Sequence, residues 1–158
     1  MTQTKFQLMA DVIIRKAKIE DIPEIYALVY ELAVFEKEPE ALTVSMDEYE
    51  KAFSEGLLQG IVATVDSKVV GIAVFYMTFS TWKGKCLYLE DFYVQPAFRR
   101  DKIGQQLFDA YLSEAKDQGA NMTKWQVLDW NETGLNFYHK NNAIIEKNWW
   151  NGKIFFQK

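Results

Sequence analysis

The stretch Leu87–Gln105, LYLEDFYVQPAFRRDKIGQ, decides the fold of this 158-residue chain. Its first half is apolar and stops at Pro96, which predicts a strand over Cys86–Val94. Its second half passes into helical spacing from Ile103 onward. Three basic residues lie in the loop between them: Arg99, Arg100 and Lys102. A cationic loop that ends at a helix N-terminus, with its free backbone N–H groups, predicts a site for an anion such as a pyrophosphate.

The segments on either side of this stretch predict a mixed α+β fold. About seven strands are expected: Val12–Arg15, Gly60–Val65, Val69–Phe79, Cys86–Val94, Met122–Leu128, Ala143–Glu146 and Lys153–Phe156. About four helices are expected: Glu20–Phe35, a helix opened by a capping box at Ser45 and Glu48 and closed by Gly56, Ile103–Lys116, and a helix that begins at Asn131. This order favours one domain over residues 1–158, with an antiparallel meander, a parallel crossover and helices on both faces of the sheet.

Composition excludes several classes of function. The formal net charge is -4 and the pI is about 5.1, so nucleic-acid binding lacks the basic surface that it requires and a cationic ligand is favoured. Cys86 is the single cysteine and His139 the single histidine. No intrachain disulfide and no Cys/His metal site can form from them. We expect Cys86 in the core and His139 on the surface.

The N-terminus is expected to be frayed. MTQTKFQLMAD lacks the charged and apolar regions of a signal peptide, and no later apolar run approaches bilayer length. We therefore expect a cytoplasmic protein without a membrane partner.

The loop also carries the pattern of a known family. Arg99-Arg100-Asp101-Lys102-Ile103-Gly104 resembles motif A of the GCN5-related N-acetyltransferases, with Lys102 in place of the first motif glycine. Five further segments resemble diamine acetyltransferases, and within them the thialysine N-epsilon-acetyltransferase branch: ELAVFEKE (31–38), STWKGK (80–85), YLEDFYV (88–94), LDWNE (128–132) and NFY (136–138). The resemblance implies a GNAT-type twisted sheet, acetyl-CoA as acyl donor, a small amine as acceptor and a homodimer.

The resemblance also implies a set of site residues. The coenzyme would contact Phe92, Tyr93, Val94, Arg99, Arg100, Asp101, Lys102, Ile103, Gly104, Gln105, Asn131 and Tyr138. Among these, the Phe92 and Val94 backbones would pair with the pantetheine arm, and the amides of residues 100–105 would hold the pyrophosphate. The acceptor would be lined by Phe35, Glu36, Glu90 and Asp91 and covered by Trp82.

The proton chemistry of amine acetylation suits Glu90. An alkyl amine has a pKa of about 10 and must lose a proton before it attacks. Glu90 is the candidate group that accepts this proton, directly or through a water. Burial and a like-charged neighbour can raise the pKa of a carboxylate, and Asp91 is such a neighbour. Because strand residues alternate between faces, both carboxylates reach one site only if the strand bulges. The alternative is that they are ordinary strand-end carboxylates.

Tyr138 is the candidate acid, since a neutral phenol can protonate the departing thiolate. Its helical spacing with Leu135 alone would favour packing, and the NFY segment favours catalysis. Glu36, Glu38 and Glu40 form an acidic stretch that would otherwise be a solvated helix end.

We therefore expect an acetyl-CoA-dependent N-acetyltransferase that acts on thialysine, a lysine-like amino acid or a di/polyamine through a direct ternary complex. The alternatives are a non-catalytic acyl-CoA-binding module and an acetyltransferase for a protein amine. The aromatic C-terminal stretch is either a dimer interface or core: Trp149, Trp150, Phe155 and Phe156.

Overall fold

The structure, a computed structural model, describes residues 11–157 apart from the side chains of Arg100 and Asp101. The start predicted to be frayed, residues 1–10, lies outside this range. The chain divides into two compact units, Met1–Gln126 and Val127–Lys158. The first contains every strand and three of the α-helices found in the described residues, and the second contains the fourth helix. A single domain over 1–158 stays a prediction.

The first unit is built on a mixed five-stranded sheet in the order β1-β2-β3-β4-β5. The strands are β1 (Val12–Lys16), β2 (Gln59–Val65), β3 (Lys68–Ser80), β4 (Gly84–Val94) and β5 (Met122–Trp125). Neighbours from β1 to β4 pair antiparallel, and β5 pairs parallel to β4. The predicted meander and parallel crossover are therefore confirmed.

Four α-helices accompany the sheet: α1 (Ile22–Phe35), α2 (Met46–Ser54), α3 (Ile103–Asp117) and α4 (Glu132–Lys140). The predicted capping box opens α2, since the Ser45 hydroxyl accepts a hydrogen bond from the Glu48 amide at 3.2 Å and Glu48 accepts one from the Ser45 amide at 3.0 Å. These two bonds satisfy donors that a helix N-terminus leaves open.

The helices of the first unit cover both faces of the sheet. Alternate residues of β3 point to opposite faces. Ile72 and Val74 join the buried cluster formed by α1 and by Tyr49 of α2, and we call this side the α1–α2 face. Phe75 points the other way and lies 5.4 Å from the ring of Tyr111 in α3. The mixed α/β fold with helices on both faces is thus confirmed.

The two closing strands predicted at Ala143–Glu146 and Lys153–Phe156 do not form, so the described residues contain five strands rather than about seven. Several apolar side chains in these segments are exposed, Ile144 and Phe156 each to 89%. Strand propensity expresses how well a side chain fits a half-buried pleated surface, and it makes a strand only where a neighbouring edge pairs the backbone. Strand β5 also ends at Trp125, three residues before the predicted Leu128.

No helix within residues 11–157 is both long enough and apolar enough to cross a membrane.

Candidate active site

Strand β4 carries one extra residue at Glu90. Strand β3 pairs Val74 with Asp91 and Phe75 with Leu89, so Glu90 stands opposite no residue of β3. This two-against-one arrangement is a β-bulge, which interrupts the regular alternation of faces. The sequence predicted that Glu90 and Asp91 share a site only if the strand bulges, and the bulge is present.

Both carboxylates lie on the α1–α2 face. Asp91 is the cross-strand partner of Val74, and side chains of such partners project from the same face. Tyr76, two residues beyond Val74 on β3, donates a hydrogen bond from its hydroxyl to Glu90 Oε2 at 2.9 Å. The negative charges of both carboxylates also raise the pKa of Tyr49 on α2, after the larger effect of burial.

Asp91 has the most perturbed carboxyl of the site. Burial, followed by the negative charges of Glu90 and Glu36, raises the pKa of Asp91 to about 7. Burial also raises the pKa of Glu36, which follows the end of α1. Glu36, Glu90 and Asp91 form what we call the acidic cluster. None of the three is ion-paired to a lysine or arginine in the part of the chain that the structure describes.

Three phenols interact with the acidic cluster, those of Tyr49, Tyr76 and Tyr88, a feature that the sequence analysis missed. The rings of Tyr76 and Tyr88 lie 5.4 Å apart, and those of Tyr26 and Tyr49 lie 5.3 Å apart, edge to face. The pKa of Tyr88 is raised by burial and then by the charge of Glu90. Period-2 spacing places Tyr76 on the same face as Ile72 and Val74, but only the fold brings Tyr49 of α2 close enough to respond to the charges of Glu90 and Asp91.

The C-terminal part of β4 extends beyond its parallel neighbour β5. Strand β5 pairs with β4 only from Cys86 to Leu89, and β4 continues to Val94 beyond the end of β5. A 3-10 helix over Pro96–Asp101 follows, and α3 begins at Ile103. Helix α3 therefore begins just after the strand end, where the sequence predicts an anion site at its N-terminal amides.

Lys102 keeps the backbone conformation for which glycine is favoured. Its φ is 58° and its ψ is 17°, the left-handed region, at the N-cap of α3. A side chain in this conformation costs about 1–2 kcal/mol. A Cβ placed on Gly104 would meet only Val94 Cγ2, at an ordinary 3.9 Å. Neighbouring protein atoms therefore do not require glycine there, whereas close approach of a ligand to the backbone would.

Arg99 is held by protein groups. Its Nε donates a hydrogen bond to the Val94 carbonyl at 2.8 Å. Its guanidinium carbon lies 5.8 Å from the ring centre of Phe35 and 5.4 Å from that of Tyr93. We call this contact the Arg99 clamp. It joins the end of α1, where the acceptor residues were predicted, to residues 95–102, which we call the coenzyme loop because the sequence predicts that it binds the coenzyme. The sequence contains no pattern that predicts this tertiary contact.

Several other predicted coenzyme residues have packed side chains. Phe92 contacts Phe108 with ring centres 5.7 Å apart, and Ile103 is fully buried. The Tyr93 hydroxyl donates to Glu31 at 3.1 Å, and Gln105 donates to Asp109 at 2.8 Å. Because these side chains are packed or hydrogen-bonded within the protein, we expect a ligand to contact the backbone atoms of these residues. The side chains of Arg100 and Asp101 fall outside the described part of the loop.

Trp82 is separated from the acidic cluster. It lies at the turn between β3 and β4 and is 83% exposed. From Gly84 to Glu90 the strand rises about 20 Å, at about 3.3 Å per residue.

Cys86 is buried in β4, as expected.

The second unit contains the remaining two predicted residues. Asn131 caps α4, since its Oδ1 accepts a hydrogen bond from the Gly134 amide at 3.0 Å. Tyr138 is a buried residue of α4 whose ring lies 5.5 Å from that of Phe137. His139 is exposed, as predicted.

Comparison with known proteins connects this geometry to a family. The chain matches the Acetyltransferase (GNAT) family model over residues 22–143. It is 34% identical over 140 residues to thialysine N-epsilon-acetyltransferase of Bos taurus, a match that covers 82% of each chain. It is 32% identical over 140 residues to spermidine/spermine N(1)-acetyltransferase-like protein 1 of Homo sapiens, covering 83% of this chain and 20% of that protein.

The fold has solved counterparts as well. An aminoglycoside acetyltransferase, meta-AAC0020 from an uncultured soil metagenomic sample, superposes with a TM-score of 0.78 at 17% identity, covering 92% of this chain and 97% of that one. The family match spans both the bulged strand and the coenzyme loop. The chain therefore belongs to the GNAT acetyltransferase family, whose similar members are named as enzymes that acetylate amines.

Proposed function

We propose that this enzyme transfers the acetyl group of acetyl-CoA to a primary amine of a small cationic metabolite: thialysine, a lysine-like amino acid or a di/polyamine. The observation that carries the proposal is the acidic cluster of Glu36, Glu90 and Asp91, unpaired with any cation of the described chain and close to the end of β4. Neighbouring carboxylates repel one another, and a bound ammonium relieves that repulsion.

The residues near the end of β4 fit a coenzyme A thioester. The helix N-terminus of α3 favours the charge of a pyrophosphate, and Gly104 leaves its backbone open to close approach. We propose that the Phe92, Tyr93 and Val94 backbones, together with residues 99–105 and Asn131, hold the coenzyme. The coenzyme supplies an activated acyl group and a thiolate as leaving group.

We propose Glu90 as the group that takes the proton from the acceptor ammonium, directly or through a water. The hydrogen bond from Tyr76 orients Glu90 at the bulge, and a carboxylate in such a position can serve as a general base. Phe35, Glu36 and Asp91 are proposed to hold the acceptor. Trp82, predicted to cover it, lies about 20 Å along β4 from Glu90 and is left out of this proposal. The acceptor then attacks directly within a ternary complex, because buried Cys86 has no base assigned to activate it as a nucleophile.

Tyr138 is the proposed acid, and its hydroxyl proton would pass to the departing sulfur. Tyr138→Phe should lower kcat by about 100-fold or more, the usual range for loss of a general acid. The assay is coenzyme A release over a panel of amines, with the melting temperature as a check on folding. Tyr30→Phe, an exposed tyrosine on α1, is the matched control. Near wild-type kcat in Tyr138→Phe would remove the assignment, and tight coenzyme binding without turnover on any amine would favour a sensing module instead.

We further propose a homodimer located in the cytoplasm. Large exposed apolar patches mark interaction surfaces, and the second unit exposes the side chains of Trp149, Trp150, Ile154, Phe155 and Phe156. A reducing compartment suits a chain whose single cysteine is a free thiol.

A further inference from the structure

Tyr49 of α2 lies on the α1–α2 face beside the acidic cluster. It is only 8% exposed and packs in the buried cluster that contains Val74 and Tyr93. Val74 is the cross-strand partner of Asp91, and Tyr93 follows Asp91 by two residues on β4, so all three project from this face. The ring of Tyr49 therefore packs against the surface from which the Asp91 carboxyl also projects.

The hydroxyl of Tyr49 has no hydrogen-bond partner among residues 11–157. No fully buried side-chain nitrogen or oxygen in this range lacks a partner, so the unpaired hydroxyl must reach accessible space. Tyr26, whose ring contacts Tyr49, differs in this respect, because its hydroxyl donates to the Val44 carbonyl at 2.8 Å. A buried ring with an open hydroxyl is suited to accept a hydrogen bond from a ligand.

The groups whose charges shift the pKa values of Asp91 and Tyr76 are all carboxyls and phenols. The charges that influence Asp91 are those of Glu90 and Glu36, and those that influence Tyr76 come from Glu90, Tyr88 and Asp91. Arg99 lies near the end of α1 and is turned toward the rings of Phe35 and Tyr93. Lys37 follows Glu36 in the sequence, but it is not among the groups whose charge shifts the pKa of Asp91. A ligand carboxylate would thus meet like charge at the acidic cluster, whereas the second ammonium of a diamine would meet favourable charge.

We propose that Tyr49 is a specificity-determining residue of the acceptor site: its hydroxyl, together with the Asp91 carboxyl, holds the second ammonium of a diamine that carries no carboxylate. This inference rests on the proposed function and deepens it. Tyr49 accepts a hydrogen bond from that ammonium while Asp91 supplies charge. A lysine-like amino acid is disfavoured, since its α-carboxylate would approach the acidic cluster.

The acceptor preference is tested with compounds that differ in one group. Lysine and 1,5-diaminopentane differ only in the carboxylate, and pentylamine lacks the second amine. We expect kcat/KM for 1,5-diaminopentane to exceed the values for both other compounds by at least about 10-fold, the effect of one charged hydrogen bond. Lysine used as well as 1,5-diaminopentane would overturn the inference and leave the proposed function intact.

The role of Tyr49 is tested by Tyr49→Phe, which keeps the ring and removes the hydroxyl. We expect KM for 1,5-diaminopentane to rise about 10-fold with kcat nearly unchanged, and KM for pentylamine to stay constant. Tyr30→Phe should change neither value. An equal rise of KM for both amines, or no rise for 1,5-diaminopentane, would overturn the assignment.

Binding measured by calorimetry separates this inference from the proposed function. 1,5-Diaminopentane and lysine are titrated into the wild-type protein and Tyr49→Phe, each saturated with coenzyme A. Preferential binding of the diamine that weakens in Tyr49→Phe supports the inference even if no amine is acetylated, a result that would overturn the proposed function alone. Equal binding of the two compounds overturns the inference whatever the turnover.

Discussion

Among single residues, Asp91 should couple the stability of the fold to pH. Its pKa of about 7 lies above the ordinary value of 3.8, so between pH 4 and pH 7 the native state holds a proton that the unfolded chain has released. Stability should therefore fall as the pH rises through this window. The raised pKa corresponds to at most about 4 kcal/mol, at about 1.4 kcal/mol per unit, and solvent access to this half-buried residue lowers that figure.

Asp91→Asn should therefore be more stable than the wild type at pH 8 by about 1–3 kcal/mol, because it removes a charge that burial and two neighbouring carboxyls disfavour. The difference should vanish only below about pH 3, where the wild-type carboxyl, with its ordinary pKa of 3.8, is neutral in the unfolded state as well. Urea unfolding at a series of pH values measures this. Asp117→Asn, an exposed aspartate at the end of α3, is the control. A variant less stable than the wild type at pH 8 would contradict the expected sign.

The carboxylates themselves were predictable from the sequence, since they end an apolar strand ahead of a cationic loop. The sequence did not predict that both carboxylates lie on one face of the sheet, because the bulge at Glu90 depends on how β3 pairs with β4. Tyr49 and the Arg99 clamp were missed for a related reason. Each depends on a contact between elements distant in the chain, and local periodicity contains no information about such contacts.

Among the helices and strands, the N-terminus of α3 shows how the backbone accommodates Lys102 in place of the first glycine of motif A. Lys102 adopts the left-handed conformation despite its side chain, so the strand-to-helix turn is preserved at the expense of strain. Lys102→Gly should raise the free energy of unfolding by about 0.5–1 kcal/mol, because relief of about 1–2 kcal/mol exceeds the added flexibility of the unfolded chain. Urea unfolding provides the measurement.

Lys116→Gly is the matched control, since Lys116 lies in the last turn of the same helix with a right-handed backbone. The same chemical change should there lower stability by about 1 kcal/mol. Opposite signs for the two variants identify backbone conformation as the cause. A loss of stability in both would show that the Lys102 side chain makes contacts that outweigh the strain.

Helix and strand positions followed from the sequence wherever a local pattern determines them. The buried positions Ile22, Ile25 and Val29 carry the helical period of α1, and Ser45 with Glu48 supplies both capping bonds of α2. The two strands predicted in the C-terminal segments do not form, because a strand also needs the edge of a neighbouring strand to pair with. Their apolar residues satisfied the sequence criterion, but residues 143–146 and 153–156 lack a ladder.

At the scale of the whole molecule, this unpaired apolar segment calls for a covering surface. We infer that a second copy of the chain provides this surface, because most soluble oligomers are homo-oligomers with closed symmetry. Trp150 is 96% exposed and Phe155 87%, so charged residues there should disturb an interface and leave the core of the first unit unchanged.

We therefore expect the wild type to sediment as a dimer at micromolar concentrations, and the double variant W150R/F155R as a monomer with its sheet intact by circular dichroism. Burying two arginine charges without partners opposes association strongly, whereas two aromatic side chains favour it. Leu57→Arg, at an apolar residue 66% exposed outside the C-terminal segment, should remain dimeric. A wild type that stays monomeric at about 50 µM, well above the Kd expected of a stable interface, would show that the segment is covered by something other than a second copy.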